Sequence, residues 1–118
     1  MNLYGPITQI LLRTLVTDGI EVCYTVPVGK KFYLVSSMLQ TNAGSTGNAN
    51  VRLRNESNED IIHLNCMDVR SNNQGIVPGD HYTPAFPLKM TAGQNIVVES
   101  GSAGLQAESD LFGAEVNV

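Results

Sequence analysis

The sequence predicts an all-β fold, a single-domain β-sandwich or jelly roll of about eight antiparallel strands. Three observations lead there. Apolar and polar residues alternate over short runs, as Ile20, Val22, Tyr24 and Val26 do against Glu21, Cys23 and Thr25. Turn-forming clusters separate such runs at intervals of roughly 8–12 residues. No stretch carries a convincing apolar period of a helix.

Taken in order, residues 1–7 form a candidate arm and residues 8–118 the domain. From Thr8 to Val16 the run is apolar on alternating faces, with Ile10, Leu12 and Val16 on one side. Asp18-Gly19 suits the two positive φ angles of a type I′ turn, so a hairpin into Ile20–Val26 is expected. Pro27-Val28-Gly29-Lys30 is the next turn, with proline fixing φ and glycine permitting the left-handed region. Phe32 to Leu39 is apolar or small on both faces, as in a central strand, and completes an expected three-strand meander. Asn42 to Asn50 holds only Asn, Gly, Ala, Ser and Thr and reads as an exposed loop.

Val51 and Leu53 then alternate with Arg52 and Arg54, and Ile62, Leu64 and Cys66 with His63 and Asn65. Arg70 to Gly75 is polar, and Pro78, Pro84 and Pro87 make Ile76–Pro87 an irregular or edge segment. Strand character resumes at Leu88, turns at Thr91-Ala92-Gly93-Gln94 and continues through Ile96 and Val98. The last run places Phe112, Ala114, Val116 and Val118 on one face. One internal echo is visible: Val26–Ser36 and Met90–Ser100 both read apolar residue, turn formers, Gly, polar pair, then a strand ending in Ser. Two such turns, one in each half of the chain, suit the pseudo-symmetric halves of a jelly roll.

Composition narrows the function. A chain of 118 residues buries roughly two-thirds of its unfolded surface, enough for one core without metal or disulfide staples. Twelve Val and seven Ile exclude disorder for most of the length, although only 15% of residues are charged. Seven basic against eleven acidic residues leave no basic field for phosphates, so no nucleic acid is expected as partner. No window approaches the ~18 apolar residues of a membrane helix, and no membrane partner is expected. Met1 to Pro6 lacks a signal-peptide pattern, so synthesis in a reducing cytoplasm is expected, with Cys23 and Cys66 as thiols.

No residue pattern carries catalysis. His63 and Cys66 are three apart, which on a regular strand puts them on opposite faces and prevents a shared metal. His81, beside Asp80 and Tyr82, has no partner that the sequence brings to it. Ser36 and Ser37 lie in a run too buried to present a nucleophile, and no Gly-x-Ser-x-Gly elbow exists. Asn55-Glu56-Ser57 matches a glycosylation acceptor but reads as a loop tripeptide, and Glu56, Glu59 and Asp60 do not fit calcium-loop spacing. The expectation is a protein without enzymatic activity, cofactor or metal.

What remains is surface. Arg52 and Arg54 share one strand face, either as a solvated row or as a charged contact with a partner. Leu3, Tyr4 and Ile7 in the arm, and Ile76, Val77, Tyr82 and Phe86 in the proline-rich segment, are apolar groups outside the strand pattern. They are the candidate contact residues; the alternative is that they cover the ends of the protein's own sandwich.

The segment Tyr24-Thr25-Val26-Pro27-Val28-Gly29-Lys30, followed by an apolar strand, resembles a group of small tailed-bacteriophage virion proteins. The resemblance extends to Val51-Arg52-Leu53-Arg54, to Met90–Ile96 and to the terminal alternating strand, spanning nearly the whole chain from Leu12. It implies a non-enzymatic virion structural protein. Within that class the size suits a capsid decoration (cement) protein on the outer surface of the head, a homo-oligomer (trimer or dimer) bound to the major capsid protein or other virion proteins. A tail or fibre component is the alternative. A carbohydrate-binding host-attachment module is a third, weakened by the absence of Trp and by only seven aromatic residues.

Overall fold

The computed structural model describes residues 7–42, 46–69 and 79–118. Among them are nine strands: β1 (Ile7–Thr17), β2 (Gly19–Thr25), β3 (Lys30–Asn42), β4 (Gly47–Arg54), β5 (Asp60–Val69), β6 (Asp80–Tyr82), β7 (Leu88–Thr91), β8 (Asn95–Ser100) and β9 (Gln106–Asn117). One sheet runs β1-β9-β3-β6, with β7 also on β3; the other runs β2-β8-β4-β5. β6 pairs with Ser37–Leu39 and β7 with Lys31–Leu34, so two short strands share one edge position. All pairs are antiparallel. Six of the eight connections cross from one sheet to the other; β4–β5 is a hairpin within the second sheet, and β6–β7 stays on the first. This is the two-sheet jelly roll that the strand count and spacing predict.

The core lies between the sheets. Phe32, Leu34, Leu39 and Leu111 point in from the first sheet, and Val51, Leu53, Ile96 and Val98 from the second, each at most 4% exposed. Phe32 to Leu39 lies in the central strand expected, flanked by β9 on one side and by β6 and β7 on the other.

Three local expectations are corrected. Asp18 and Gly19 do have positive φ, 64° and 113°, but they form a corner and not a hairpin. β1 pairs β9 and β2 pairs β8, so the three-strand meander is absent as well. A turn pair fixes the local bend; it does not fix whether the returning strand stays in the plane. The Asn42–Asn50 loop is shorter than expected, since β4 starts at Gly47 and pairs with both β5 and β8. Ladder bonds there outweigh the weak strand preference of Asn and Gly. Arg70–Gly75 lies outside the described residues.

Two corrections come from β-bulges. Register slips between Val22 and Tyr24 as β2 runs along β8, so Ile20 and Val22 stand exposed while Cys23 and Tyr24 turn inward. In β5, Arg52 opposes His63 and Val51 opposes Asn65, leaving Leu64 as an extra residue. Leu64 and Asn65 are consequently both buried, and His63 and Cys66 emerge on the same face. An extra residue inverts the phase of everything after it.

The internal echo is real geometry. Gly29 and Gly93 both have positive φ, 81° and 88°, and each turn closes with its own hydrogen bond, Lys30 N to Pro27 O and Gln94 N to Thr91 O. The turns also bind each other, since Val26 N donates to Gln94 O and Gly93 N donates to Val26 O, both at 3.0 Å. One turn leads from the second sheet to the first, the other from the first to the second.

At this end Tyr24 links the sheets: its hydroxyl donates to Glu115 Oε2 at 2.5 Å, and its ring lies 4.5 Å from that of Phe32. Burial first, then the hydrogen bond and charge of Glu115, push the phenol well above its ordinary value. The raised pKa means that this stabilisation is complete below the ordinary phenol pKa of about 10 and is lost as pH rises through the raised value. Ultraviolet titration should find a tyrosine that ionises well above the ordinary phenol value, and Tyr24→Phe should remove that step. Uniform ionisation of all tyrosines near the ordinary value would contradict this.

Candidate protein-interaction surface

The outer faces of the two sheets differ in chemistry. On the second sheet the polar side chains are committed to one another. Arg52 reaches Asp60 at 3.1 Å and Glu99 at 3.4 Å, with its side chain only 16% exposed. Arg54 Nε donates to Asn95 Oδ1 at 2.9 Å, and Asn50 donates to Glu99. Asn95 in turn donates to Asn55 O and Asn58 Oδ1, tying the 55–59 turn to β8. The arginine row is therefore neither free nor solvated at large; it belongs to a polar network across β4, β5 and β8 in which Arg52 Nε and Asn50 Oδ1 remain without a partner among the described residues.

The first sheet carries an apolar patch on its outer face, beside the Arg13–Glu108–Asp110 ion pairs. Along β9 the odd positions Ala107, Ser109, Leu111 and Gly113 face the core, so Phe112, Ala114 and Val116 look outward. β1 adds Ile7, Leu11 and Leu15, all exposed. Between these strands and β7 lies an open groove of about 500 Å³, lined by Ile7, Tyr33, Val35, Pro87, Ala114 and Val116, with Lys31 and Asn117 at its rim. The sequence shows this apolar set on the last strand, but periodicity cannot say which face of a strand is the buried one.

The candidate contact residues fall as follows. Ile7 is the first residue of β1, paired with Val116, and lines the groove. Phe86 is 83% exposed, next to Pro87 of the same groove. The fold thus brings the end of the arm and the end of the proline-rich segment to one place. Tyr82 differs: it sits in β6 opposite Ser37 and packs partly buried against the core. Leu3, Tyr4, Ile76 and Val77 lie outside the described residues.

The remaining chemistry-bearing groups have ordinary surroundings. His63 Nδ1 and Cys66 Sγ approach to 3.8 Å on the exposed face of β5, yet no group of three or more potential metal ligands occurs among the described residues. Asn55, of the acceptor-like tripeptide, accepts from Ser57 N and Glu59 N at 2.9 Å, a local turn stabilised by its own side chain. Both cysteines are free: Cys66 is exposed and Cys23 half-buried, with burial chiefly raising the Cys23 thiol pKa. A thiol reagent should therefore modify Cys66 rapidly and Cys23 slowly in the native protein, and both at once after denaturation. Equal native rates would contradict that placement.

The chain is thus a small two-sheet jelly roll with an arginine-centred polar network on one outer face and an open apolar groove on the other. It is similar in structure to a chain in the acid-stable capsid of Helicobacter pylori bacteriophage KHP30, with a TM-score of 0.55 at 15% identity over 96% of this chain and 100% of that one. Weaker likenesses are to a chain of Bacillus endospore appendages, described as disulfide-linked pili (TM-score 0.49, 10% identity, 100% and 96% covered), and to one of infectious bursal disease virus strain Gx (0.35, 9%, 96% and 32%). The first of these shows the shared fold. No protein-family model matches the chain, nor does any curated protein sequence.

Proposed function

We propose that this chain is a non-enzymatic structural protein of a bacteriophage virion, and within that class a capsid decoration (cement) protein bound to the outside of the assembled head. The observation that carries the reading is the end-to-end likeness to a chain in a phage capsid, covering 96% of one and 100% of the other. A single jelly roll is suited to sitting on or between shell subunits. The resemblance of the Tyr24–Lys30 turn and its following strand to small virion proteins points the same way. Binding the assembled shell better than free subunits stabilises the shell by mass action, without chemistry.

The partner is then the major capsid protein or a neighbouring virion protein, and the open face of the first sheet is the contact region. Aromatic and aliphatic groups around a groove are the usual anchors of such contacts. Ile7 lines the groove and Phe86 adjoins its Pro87; Leu3, Tyr4, Ile76 and Val77 are contact candidates from the sequence alone.

Immunogold electron microscopy of purified virions tests the reading. Gold over heads is the expected result; gold confined to tails would assign the chain to the tail or fibre, and unlabelled particles would overturn a virion role. Phe86→Lys, at a side chain that contributes little to the core, should keep the fold and lower incorporation into heads at least roughly tenfold. Unchanged incorporation would remove Phe86 from the contact.

A further inference from the structure

We propose that two copies of this chain join through their β1 strands, antiparallel about a two-fold axis at Leu11, so that the two first sheets become one continuous sheet. The inference concerns the purified chain and does not depend on which particle it serves.

An exposed strand edge carries unpaired N–H and C=O groups that template pairing, and proteins usually blunt it with charge, proline, bulges or short length. β2 is blunted by its bulge at Cys23. β5 has two register slips against β4, and the Asp80 carboxylate takes the Cys66 N–H at 3.3 Å. β6 and β7 are three and four residues long. Among the described residues β1 has none of these devices: it runs eleven residues without a bulge and is hydrogen-bonded on one side only, to β9. Its single charged residue, Arg13, is held by Glu108 at 2.7 Å and Asp110 at 3.0 Å.

The sequence of this edge is self-complementary in one register. With Leu11 opposite the partner's Leu11, Ile7 meets the partner's Leu15 and Gln9 meets the partner's Arg13 on the outer face. On the inner face Thr8 meets the partner's Thr14 and Ile10 meets the partner's Leu12. Apolar faces apolar and polar faces polar at every pair, the arrangement that cross-strand energetics favour. Moving the axis to Leu12 sets Arg13 against the partner's Leu11, and moving it to Arg13 sets two guanidiniums opposite each other. A two-fold contact needs this self-matching, since one patch meets itself. Pairing also covers Leu11, which at 75% exposed is the most exposed large apolar side chain of the strand.

Sedimentation analysis of the purified full chain gives the first readout, with a dimer expected. Leu11→Lys places two ammonium groups at the axis and should weaken dimerisation roughly a hundredfold, with the all-β circular dichroism spectrum retained. Ile61→Lys, an equally conservative change at an exposed site on β5, should leave the dimer intact. The register has its own test: Leu11→Cys in a Cys66→Ala background should oxidise to a covalent dimer, because opposed residues in a ladder bring Cβ atoms within about 5.5 Å. A monomeric or trimeric wild-type chain would overturn the proposal, and so would a dimer that Leu11→Lys leaves intact or that Leu11→Cys fails to cross-link.

Discussion

Gly113→Ala is expected to destabilise the domain by about 3 kcal/mol or more, enough to lower the melting temperature by roughly 12 °C. Gly113 lies on the inner face of β9 between Ile10 of β1 and Leu34 of β3. A methyl group there would come within 2.3 Å of Phe32 Cζ and 2.4 Å of Tyr33 O. No side chain can stand so close, so either the ring or the β3 backbone has to move. Phe32 is fully buried, and its ring uses the space that a glycine leaves vacant. Glycine is required here for room, since its φ is not in the left-handed region. Phe32→Leu added to Gly113→Ala should restore only part of the loss, because the contact with the Tyr33 carbonyl remains. Thermal or urea unfolding measures both variants; a change below about 1 kcal/mol would show that the β3–β9 spacing is wrongly described.

Asn65→Ala should cost about 3 kcal/mol by a different route. Asn65 is 2% exposed and reaches across from β5 to the first sheet. Ser37 Oγ donates to its Oδ1 at 2.6 Å. Its amide hydrogens are shared among Ser37 O, Asp80 O and Asp80 Oδ2, at 3.3, 3.1 and 2.9 Å. Truncation leaves a buried hydroxyl and buried carbonyls without that partner, and unsatisfied buried polar groups are the expensive case. It also loosens β6, which has only three residues in its ladder. Urea unfolding should give the lower stability, and hydrogen exchange should show faster opening around Asp80–Tyr82. A neutral Asn65→Ala would mean that water replaces the amide without loss.

These two residues also mark the limit of what the chain states openly. Gly113 sits in an ordinary alternating run, and Asn65 occupies a position that alternation assigns to the polar side of its strand. The first becomes essential because Phe32, far away in sequence, points at it. The second is buried because Leu64 is an extra residue that inverts the phase of β5. The same effect separates Ile20 and Val22 from Tyr24, and it places His63 beside Cys66. Alternation tests one strand against an ideal period of two, and a bulge is set by the neighbouring strand to which the residue must be matched.

The candidate surface was legible in its materials and not in its assembly. Phe112, Ala114 and Val116 are visible as one apolar face, Ile7 as an apolar residue of the expected arm, and Phe86 and Pro87 as part of a segment unsuited to strands. Only the antiparallel stacking of β1, β9, β3 and β7 puts them around one groove. The arginines went the other way: Arg52 and Arg54 share a face as the spacing requires, but Asp60, Glu99 and Asn95 come to meet them from other strands.

By itself the sequence determined the all-β class, the positions of most strands, the Gly29 and Gly93 turns, and the acidic, thiol-bearing composition. All of these follow from local preferences and from short-range periodicity, which act within a few residues. The tertiary structure alone decided that Asp18-Gly19 turns the chain into the other sheet, that β1 finds β9 and β2 finds β8, and that the apolar side of β9 faces out. The reason is physical: strand pairing in a jelly roll joins residues about a hundred positions apart, as Ile7 joins Val116. Backbone hydrogen bonds carry no residue identity, so the partner and the face are chosen by how the two sheets together bury the most apolar surface.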